Sequence, residues 1–285
     1  MKSEDVMALL NPSLFRNVIE FPAYYTDNHG VSHRIQNKKV LAYEDTGEYI
    51  ASVGDKYRVV QNEEVYRPFC EAIIESNLDL NGLDIRTSIG NAGRSLTSFI
   101  FPEHSVQLKN DITNLRIIAR NSYDGTWKFQ VDTGGFRVAC ANGQVVGNFK
   151  NAYNNKHTSS FSVKDMSKHL SHQIEGFASC GQWWMSLEQT PIDYDIAIDL
   201  VCKYLYNTEK TREDKLKLIE SGKSTTFNKI CELFDDYSKE MGENLYALYN
   251  AFTDHATHSS DVPEYQFDKS KRLLQVVETY LKSAA

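Results

Sequence analysis

Basic residues recur among apolar residues in one stretch of the sequence, where their spacing suits contact with phosphate groups. The segment 115–140 contains four of them: Arg116, Arg120, Lys128 and Arg137. Successive side chains of a β-strand point to opposite faces, so this pattern predicts strands with one apolar and one polar face. Cationic groups spaced along adjacent strands can follow a phosphate backbone. We therefore predict an antiparallel meander with a basic face, although ordinary solvation of an exposed sheet explains the same pattern.

Further basic and aromatic residues extend this predicted site. Tyr123 lies in the turn "NSYDG", and Tyr153 lies in the polar segment "KNAYNNKHT" with Lys150 and Lys156. An exposed tyrosine that stacks on an unpaired base contributes roughly 1–3 kcal/mol, and lysines in a loop suit sugar and phosphate contacts. A polar surface loop without a ligand is the alternative. The apolar face of the strands holds three aromatic residues that we expect in the core: Trp127, Phe129 and Phe136.

The charge distribution agrees with a local basic site in an acidic chain. The formal net charge is −7, which argues against a protein that is basic overall. Residues 104–170 contain 9 Lys+Arg and 4 Asp+Glu, a surplus of +5, whereas residues 1–103 carry −5 and residues 171–285 carry −7. Local fields matter more than totals for an anionic ligand.

Other residue types that could carry chemistry lack the partners they require. The pairs His169/His172 and His255/His258 have a spacing suited to a metal on a helix, but the sequence places no third ligand. The loop 90–94, "GNAGR", lacks the Lys-Ser/Thr pair of a phosphate-binding loop. Serine- and cysteine-nucleophile motifs are absent, and a metal-dependent nuclease lacks a second acidic ligand. We predict no catalytic residue, metal or cofactor, and hence a protein that is not an enzyme.

Composition indicates a folded protein. The 285 residues are 41% hydrophobic and 12% aromatic, which is enough for a substantial core in one large or two smaller domains. The longest apolar runs are too short to span a bilayer, so we expect no membrane association. The first residues contain no apolar signal segment, and five scattered cysteines suit reduced thiols. We therefore expect a cytoplasmic location.

The elements that would position the basic face follow from local patterns. "LDIRTSIGNAGRSLTSFIFP", residues 83–102, predicts a β-hairpin, and Asn62 is a plausible N-cap of an adjoining helix. Residues up to about 43 show no clear period. From about Val163 the apolar spacing becomes helical. The predicted fold class is α+β, with a β-rich domain at 1–160 and a helical region at 161–285.

Four blocks of this sequence resemble the domain of unknown function 932 family. They are "VGDKYRVVQNEEVYRPF" (53–69), "RNSYDGTWKFQV" (120–131), "FRVACANGQV" (136–145) and "KHT" (156–158). The resemblance covers residues 50–160, with Ala139 standing where a β-branched residue is expected. Members of that family are encoded in phages, prophages and conjugative plasmids. The resemblance therefore implies a phage or mobile-element setting, and it implies no chemistry.

That setting connects the basic face with single-strand annealing. Mobile elements carry annealing proteins of the Rad and RecT types, and the predicted hairpin, meander, basic loop and helical tail are similar to theirs in architecture alone. Our leading hypothesis is a protein that binds single-stranded DNA and anneals it in recombination or replication without ATP. We expect a homo-oligomer, with a ring as one form, and as further partners a single-strand-binding protein or an exonuclease.

The acidic carboxyl-terminal half supports an alternative. Residues 171–285 carry −7, and an acidic surface can mimic DNA or bind a basic host protein. The alternative is an anti-defence or regulatory protein that binds a host protein through this half.

Overall fold

A computed structural model describes residues 2–108, 111–137, 142–145, 153–155, 163–206, 214, 217, 225–259 and 263–284. The chain forms two compact units. The first contains Met1–Phe101, Ile117–Asp132 and Asn151–Gln173, and the second contains Pro102–Arg116, Thr133–Lys150 and Ile174–Ala285. Each unit takes segments from both sides of residue 160, because three β-strands and one long helix run from one unit into the other.

The amino-terminal part forms a three-stranded antiparallel sheet. Helix α1 (Ser3–Ala8) and a 3₁₀ turn (Pro12–Phe15) precede β1 (Val18–Thr26), β2 (Ser32–Tyr43) and β3 (Tyr49–Gly54), which lie in the order β1-β2-β3. Asp27 shapes the turn between β1 and β2, because its Oδ1 accepts hydrogen bonds from the amides of His29 and Val31. Gly30 in this turn has φ +80°, which an L-residue adopts only with strain.

A second, larger sheet contains the predicted hairpin and meander. Its strands are β4 (Asp84–Ile89), β5 (Ser95–Leu108), β6 (Asp111–Asn121), β7 (Phe129–Arg137), β8 (Asn142–Val145) and β9 (Tyr153–Asn155). The order is β4-β5-β6-β7-β8, and β9 pairs with β7. The hairpin is confirmed, with Asp84 opposite Ile100 and Ile89 opposite Ser95.

The expected apolar face of the meander is also present. Leu115, Ile117 and Ala119 in β6 are fully buried, as is Phe129 in β7, and Phe136 is nearly so. Trp127 is half-buried. Helix α2 (Asn62–Glu75) packs its Phe69 ring edge-on against Phe99 and Phe129, so the aromatic side chains of the strands and the helix form one core.

The carboxyl-terminal part is helical, as the spacing predicted. The helices are α3 (Val163–Glu188), α4 (Tyr194–Tyr206), α5 (Thr225–Met241), α6 (Leu245–His258) and α7 (Pro263–Ala284). Helix α6 is the most buried, because its residues 245–253 are all inaccessible to solvent. The fold class is α+β, with antiparallel sheets followed by helices. None of the described helices is long and apolar enough to cross a bilayer.

Candidate nucleic-acid interface

Arg120, at the centre of the predicted basic face, is buried. The residue is only 8% exposed, and its Nε lies 3.5 Å from Oδ2 of Asp132. Its NH2 donates a hydrogen bond to Oε1 of Gln130, and its guanidinium lies 5.7 Å from the centroid of the Trp127 ring. Burial raises the pKa of Asp132, while the charge of Arg120 opposes that rise. The charge of Arg120 is therefore compensated by Asp132 inside the protein. The prediction that Arg120 is accessible to a phosphate backbone is corrected.

Tyr123 is also placed differently from the expectation, because it is 1% exposed. Its hydroxyl accepts a hydrogen bond of 3.1 Å from the amide of Asn62, at the start of α2. Gly93, which has φ +62°, lies against the Tyr123 ring so closely that a Cβ there would clash. A ring enclosed in this way cannot stack on a base, so Tyr123 serves to position the start of α2.

The remaining predicted residues do not form a described trough. Lys128 is exposed and Arg116 is half-buried. Arg137 and Tyr153 lie in β7 and β9, with Tyr153 opposite Val131, but their side chains lie outside the described part of the structure. Lys150 and Lys156 lie outside the described residues altogether. Of the eight predicted residues, only Lys128 is both described and exposed.

The residues behind the family resemblance contact one another. Asn62 accepts a hydrogen bond from Asn121 and donates one to the carbonyl oxygen of Leu14, both 2.8 Å long. Gly125, with φ +74°, lies under the ring of Tyr57. Asp124 forms an ion pair of 2.7 Å with Arg94. The blocks around residues 57 and 121 therefore hold the turn after β6 against the start of α2, which is a structural role.

An exposed hairpin arm combines accessible aromatic rings with accessible basic side chains, which the described part of the sheet face does not. We define the hairpin arm as residues 20–39, the outer part of β1 and β2. Tyr24 and Tyr25 are 57% and 54% exposed, and Phe21 is exposed too. Tyr24 lies opposite Arg34 and Tyr25 opposite His33 in the strand register. Because adjacent residues of a strand point to opposite faces, each face of the arm presents one tyrosine beside one basic side chain.

The basic groups of the hairpin arm differ in how far they are neutralised. Lys39 pairs with Glu20, and Nε2 of His33 lies 2.8 Å from Oδ2 of Asp27. The hydrogen bond from His33 lowers the pKa of Asp27. Arg34 and Lys38 are exposed and form no ion pair within the described part of the chain. Their charges are therefore accessible to an anionic ligand.

Stacking geometry is already present within the hairpin arm. The rings of Tyr25 and His33 stack with centroids 5.2 Å apart and an interplanar angle of 26°. Both residues are exposed, so the stacked pair is in contact with solvent. Such a platform, with cations nearby, has the features of sites that bind unpaired bases.

The sequence contained a signal for the hairpin arm. "AYYTDNHGVSHRIQNKK", residues 23–39, has an Asp-Asn-His-Gly turn between two runs suited to strands, with three Lys/Arg residues in the second run. Alternation is absent because most of the arm is exposed on both faces, and a search for one buried face cannot detect such a hairpin.

A metal site receives no support from the described residues, among which no three metal-ligating side chains cluster. A family model with the description "Domain of unknown function (DUF932)" matches residues 49–277. This match covers most of the chain but begins after the hairpin arm. No curated protein and no solved structure matches the chain significantly.

Proposed function

The chain belongs to the DUF932 family, and because the description of that family gives no activity, we propose a function from the exposed hairpin: the protein binds single-stranded DNA and anneals complementary strands without ATP. The observation that carries this proposal is the pairing of exposed tyrosines with basic residues across the hairpin arm. The proposal keeps the ligand predicted from the sequence and moves its site from the sheet face to the arm.

The chemistry of the hairpin arm fits an unpaired strand better than a duplex. Tyr24 and Tyr25 offer ring faces to bases, which are available only when the bases are unpaired. Arg34 and Lys38 offer charges to the backbone phosphates. Contacts of this kind leave the hydrogen-bonding edges of the bases free, so a bound strand can still pair with its complement. No catalytic group is needed for this activity.

The strength of one hairpin arm explains why an oligomer belongs to the proposal. Stacking contributes roughly 1–3 kcal/mol per base, and two phosphate contacts add a modest, salt-dependent gain. One arm therefore gives weak binding. Several arms on one strand raise the effective concentration of each later contact, so a homo-oligomer would bind far more tightly than its subunits. The same proposal places the protein in the cytoplasm of a bacterial host, where it would act in phage recombination. A single-strand-binding protein or an exonuclease would be its partner.

Fluorescence anisotropy with a labelled oligonucleotide tests this function. We expect the variant Tyr24→Ala/Tyr25→Ala to bind at least about tenfold more weakly than the unmodified protein, because both stacking faces are lost. Tyr265→Ala is the matched control, since Tyr265 is 59% exposed on α7. Light scattering on each variant separates loss of a DNA contact from loss of assembly. Equal affinity of the arm variant and the control would overturn the proposal.

The acidic helical half supports a second candidate function. The solvent-facing side of α5 carries four exposed carboxylates: Glu232, Asp235, Asp236 and Glu240. Lys239 on the same helix pairs with Asp236, so the net charge of this surface is smaller than the four carboxylates alone would give. Such a row suits a basic region of a host protein. A pull-down that recovers one stoichiometric host protein, and loses it when these four residues are changed to Gln or Asn, would favour this function, provided that the protein shows no affinity for DNA.

A further inference from the structure

A cavity of 550 Å³ lies among the carboxyl-terminal helices, within the second compact unit. Its volume falls in the range of small-molecule sites, roughly 300–1,000 Å³. Its polar lining comes from the end of α4, the start of α5, the end of α6 and the first turns of α7. The residues that matter for its chemistry are Tyr204, Thr226, His255, Ser259, Lys269 and Arg272.

Two cations in the lining, Lys269 and Arg272, have only neutral hydrogen-bond acceptors among the described residues. Lys269 and Arg272 lie one turn apart on α7 and both face the cavity. Arg272 donates to the carbonyl oxygens of Tyr204 and Leu205, at 3.3 Å each, and Lys269 donates to the hydroxyl of Ser259. All of these acceptors are neutral. Within the described residues neither cation forms an ion pair, although the half of the chain that contains them carries −7.

A neutral histidine completes this side of the cavity. His255 is 8% exposed, and its Nδ1 lies 3.0 Å from the hydroxyl of Tyr204. Burial and, next, the charge of Lys269 lower the pKa of His255 to about 4, while Asp254 opposes the shift. Burial also lowers the pKa of Lys269. The neutral ring of His255 therefore lies beside the partly buried ammonium group of Lys269, and an anion in the cavity would stabilise the charge of Lys269.

The hydroxyl groups define which anion fits. Thr226 and Ser259 bring hydrogen-bond donors to the same cavity as the two cations, and an oxyanion with several acceptor oxygens uses both kinds of group. Asp268 also lines the cavity, so its carboxylate limits the net positive charge there.

We propose that this cavity binds a small molecule that carries a phosphate group, with Lys269 and Arg272 as the cationic contacts and Ser259 and Thr226 as hydroxyl donors. Because the site is a cavity between helices, it suits a compact ligand instead of a polynucleotide. The site is independent of the hairpin arm, so either assignment can fail without the other.

Isothermal titration with inorganic phosphate and with phenyl phosphate, at constant ionic strength, tests the proposal. We expect saturable binding of phenyl phosphate by the full chain, and no comparable binding of acetate. Lys269→Gln and Arg272→Gln should each weaken binding at least about tenfold, as expected for loss of one charge-assisted contact. Lys271→Gln is the matched control, because Lys271 is exposed on the same helix and does not line the cavity. Absence of saturable binding, or equal binding by all three variants, would overturn the proposal.

If the variants fail to fold, nuclear magnetic resonance of the unmodified protein tests whether phosphate binds in the cavity. Phosphate in the cavity should shift the ring resonances of His255 while those of His33, on the hairpin arm, stay in place. Unchanged His255 resonances at saturating phosphate would contradict the proposal. The variant Tyr24→Ala/Tyr25→Ala should keep full phosphate affinity, which distinguishes failure at this site from failure of the DNA-binding proposal.

Discussion

Two places in the molecule set a tyrosine near basic side chains, and their surroundings give these groups opposite roles. In the turn after β6, Tyr123 is enclosed and the nearby Arg120 is matched by Asp132. In the hairpin arm, Tyr24 and Arg34 are cross-strand neighbours that face solvent. The same residue types therefore stabilise the fold in one place and offer a binding surface in the other. A basic side chain is therefore a candidate for phosphate contact when it is exposed and has no carboxylate partner. Its residue type alone is not sufficient.

The largest expected effect concerns the buried tyrosine. We expect Tyr123→Ala to lower the free energy of unfolding by about 3–5 kcal/mol, because a large ring is removed from the core. Tyr123→Phe, which removes only the hydrogen bond to Asn62, should cost about 1 kcal/mol. Urea denaturation measures both. A loss below 1 kcal/mol for Tyr123→Ala would place this ring outside the core and weaken the contrast with the hairpin arm.

The buried ion pair gives the next effect. Asp132→Asn leaves Arg120 largely desolvated without its carboxylate, so we expect a loss of about 2–3 kcal/mol in the free energy of unfolding. Asp84→Asn is the matched control, because the pair of Asp84 with Arg86 is exposed and such pairs contribute at most about 1 kcal/mol. Equal losses for the two variants would show that Arg120 is as well solvated as Arg86.

A pH dependence separates the buried histidine from the exposed one. The pKa of His255 is lowered to about 4, whereas an unfolded histidine titrates near 6.5. Between these values the unfolded chain binds a proton that the folded chain does not bind, so stability increases with pH and levels off above about 6.5. We expect His255→Gln to remove about 2 kcal/mol of the change between pH 7 and pH 4.5. Parallel stability curves for the variant and the unmodified protein would contradict this. His29→Gln, at an exposed position in the turn after β1, serves as the control.

The smallest effect on stability belongs to the hairpin arm. Tyr24→Ala should change the free energy of unfolding by no more than about 0.5 kcal/mol, since exposed positions tolerate substitution. Its effect should instead be found in DNA affinity. Thermal denaturation beside the anisotropy titration checks both halves of this prediction. A large loss of stability would mean that the Tyr24 ring packs against the protein. The hairpin arm would then not be an accessible binding surface.

Local sequence patterns predicted the strands of the larger sheet and the helical tail. The hairpin at Asp84–Ile100 follows from two strand-forming runs around the turn at residues 90–93. The apolar face with Leu115 and Ile117 follows from alternation of residue types, although residues 117–121 are buried on both faces of β6. The helical tail follows from its own period in the same way. Local patterns therefore sufficed for the fold class and for most elements of the core.

The site required knowledge that the sequence does not contain. Arg120 and Gln130 are ten residues apart, and only the register of β6 against β7 brings Gln130 and Asp132 to the guanidinium. Asn62 fits the pattern of a helix cap, but the N-cap of α2 is Gln61. Asn62 is instead buried and accepts a hydrogen bond from Asn121. The hairpin arm was not predicted because both of its faces are exposed. Its sequence therefore lacks the alternation of apolar and polar residues that a buried face produces.

The salt dependence of DNA binding tests the central claim most directly. For single strands, each phosphate contact contributes about 0.7 to the slope of log affinity against log salt concentration. We predict that Arg34→Gln/Lys38→Gln reduces this slope by about 1.4 and that Lys128→Gln, at the exposed end of the original sheet face, leaves it unchanged. An unchanged slope in the arm variant, together with a reduced slope for Lys128→Gln, would return the site to the sheet face and contradict the account.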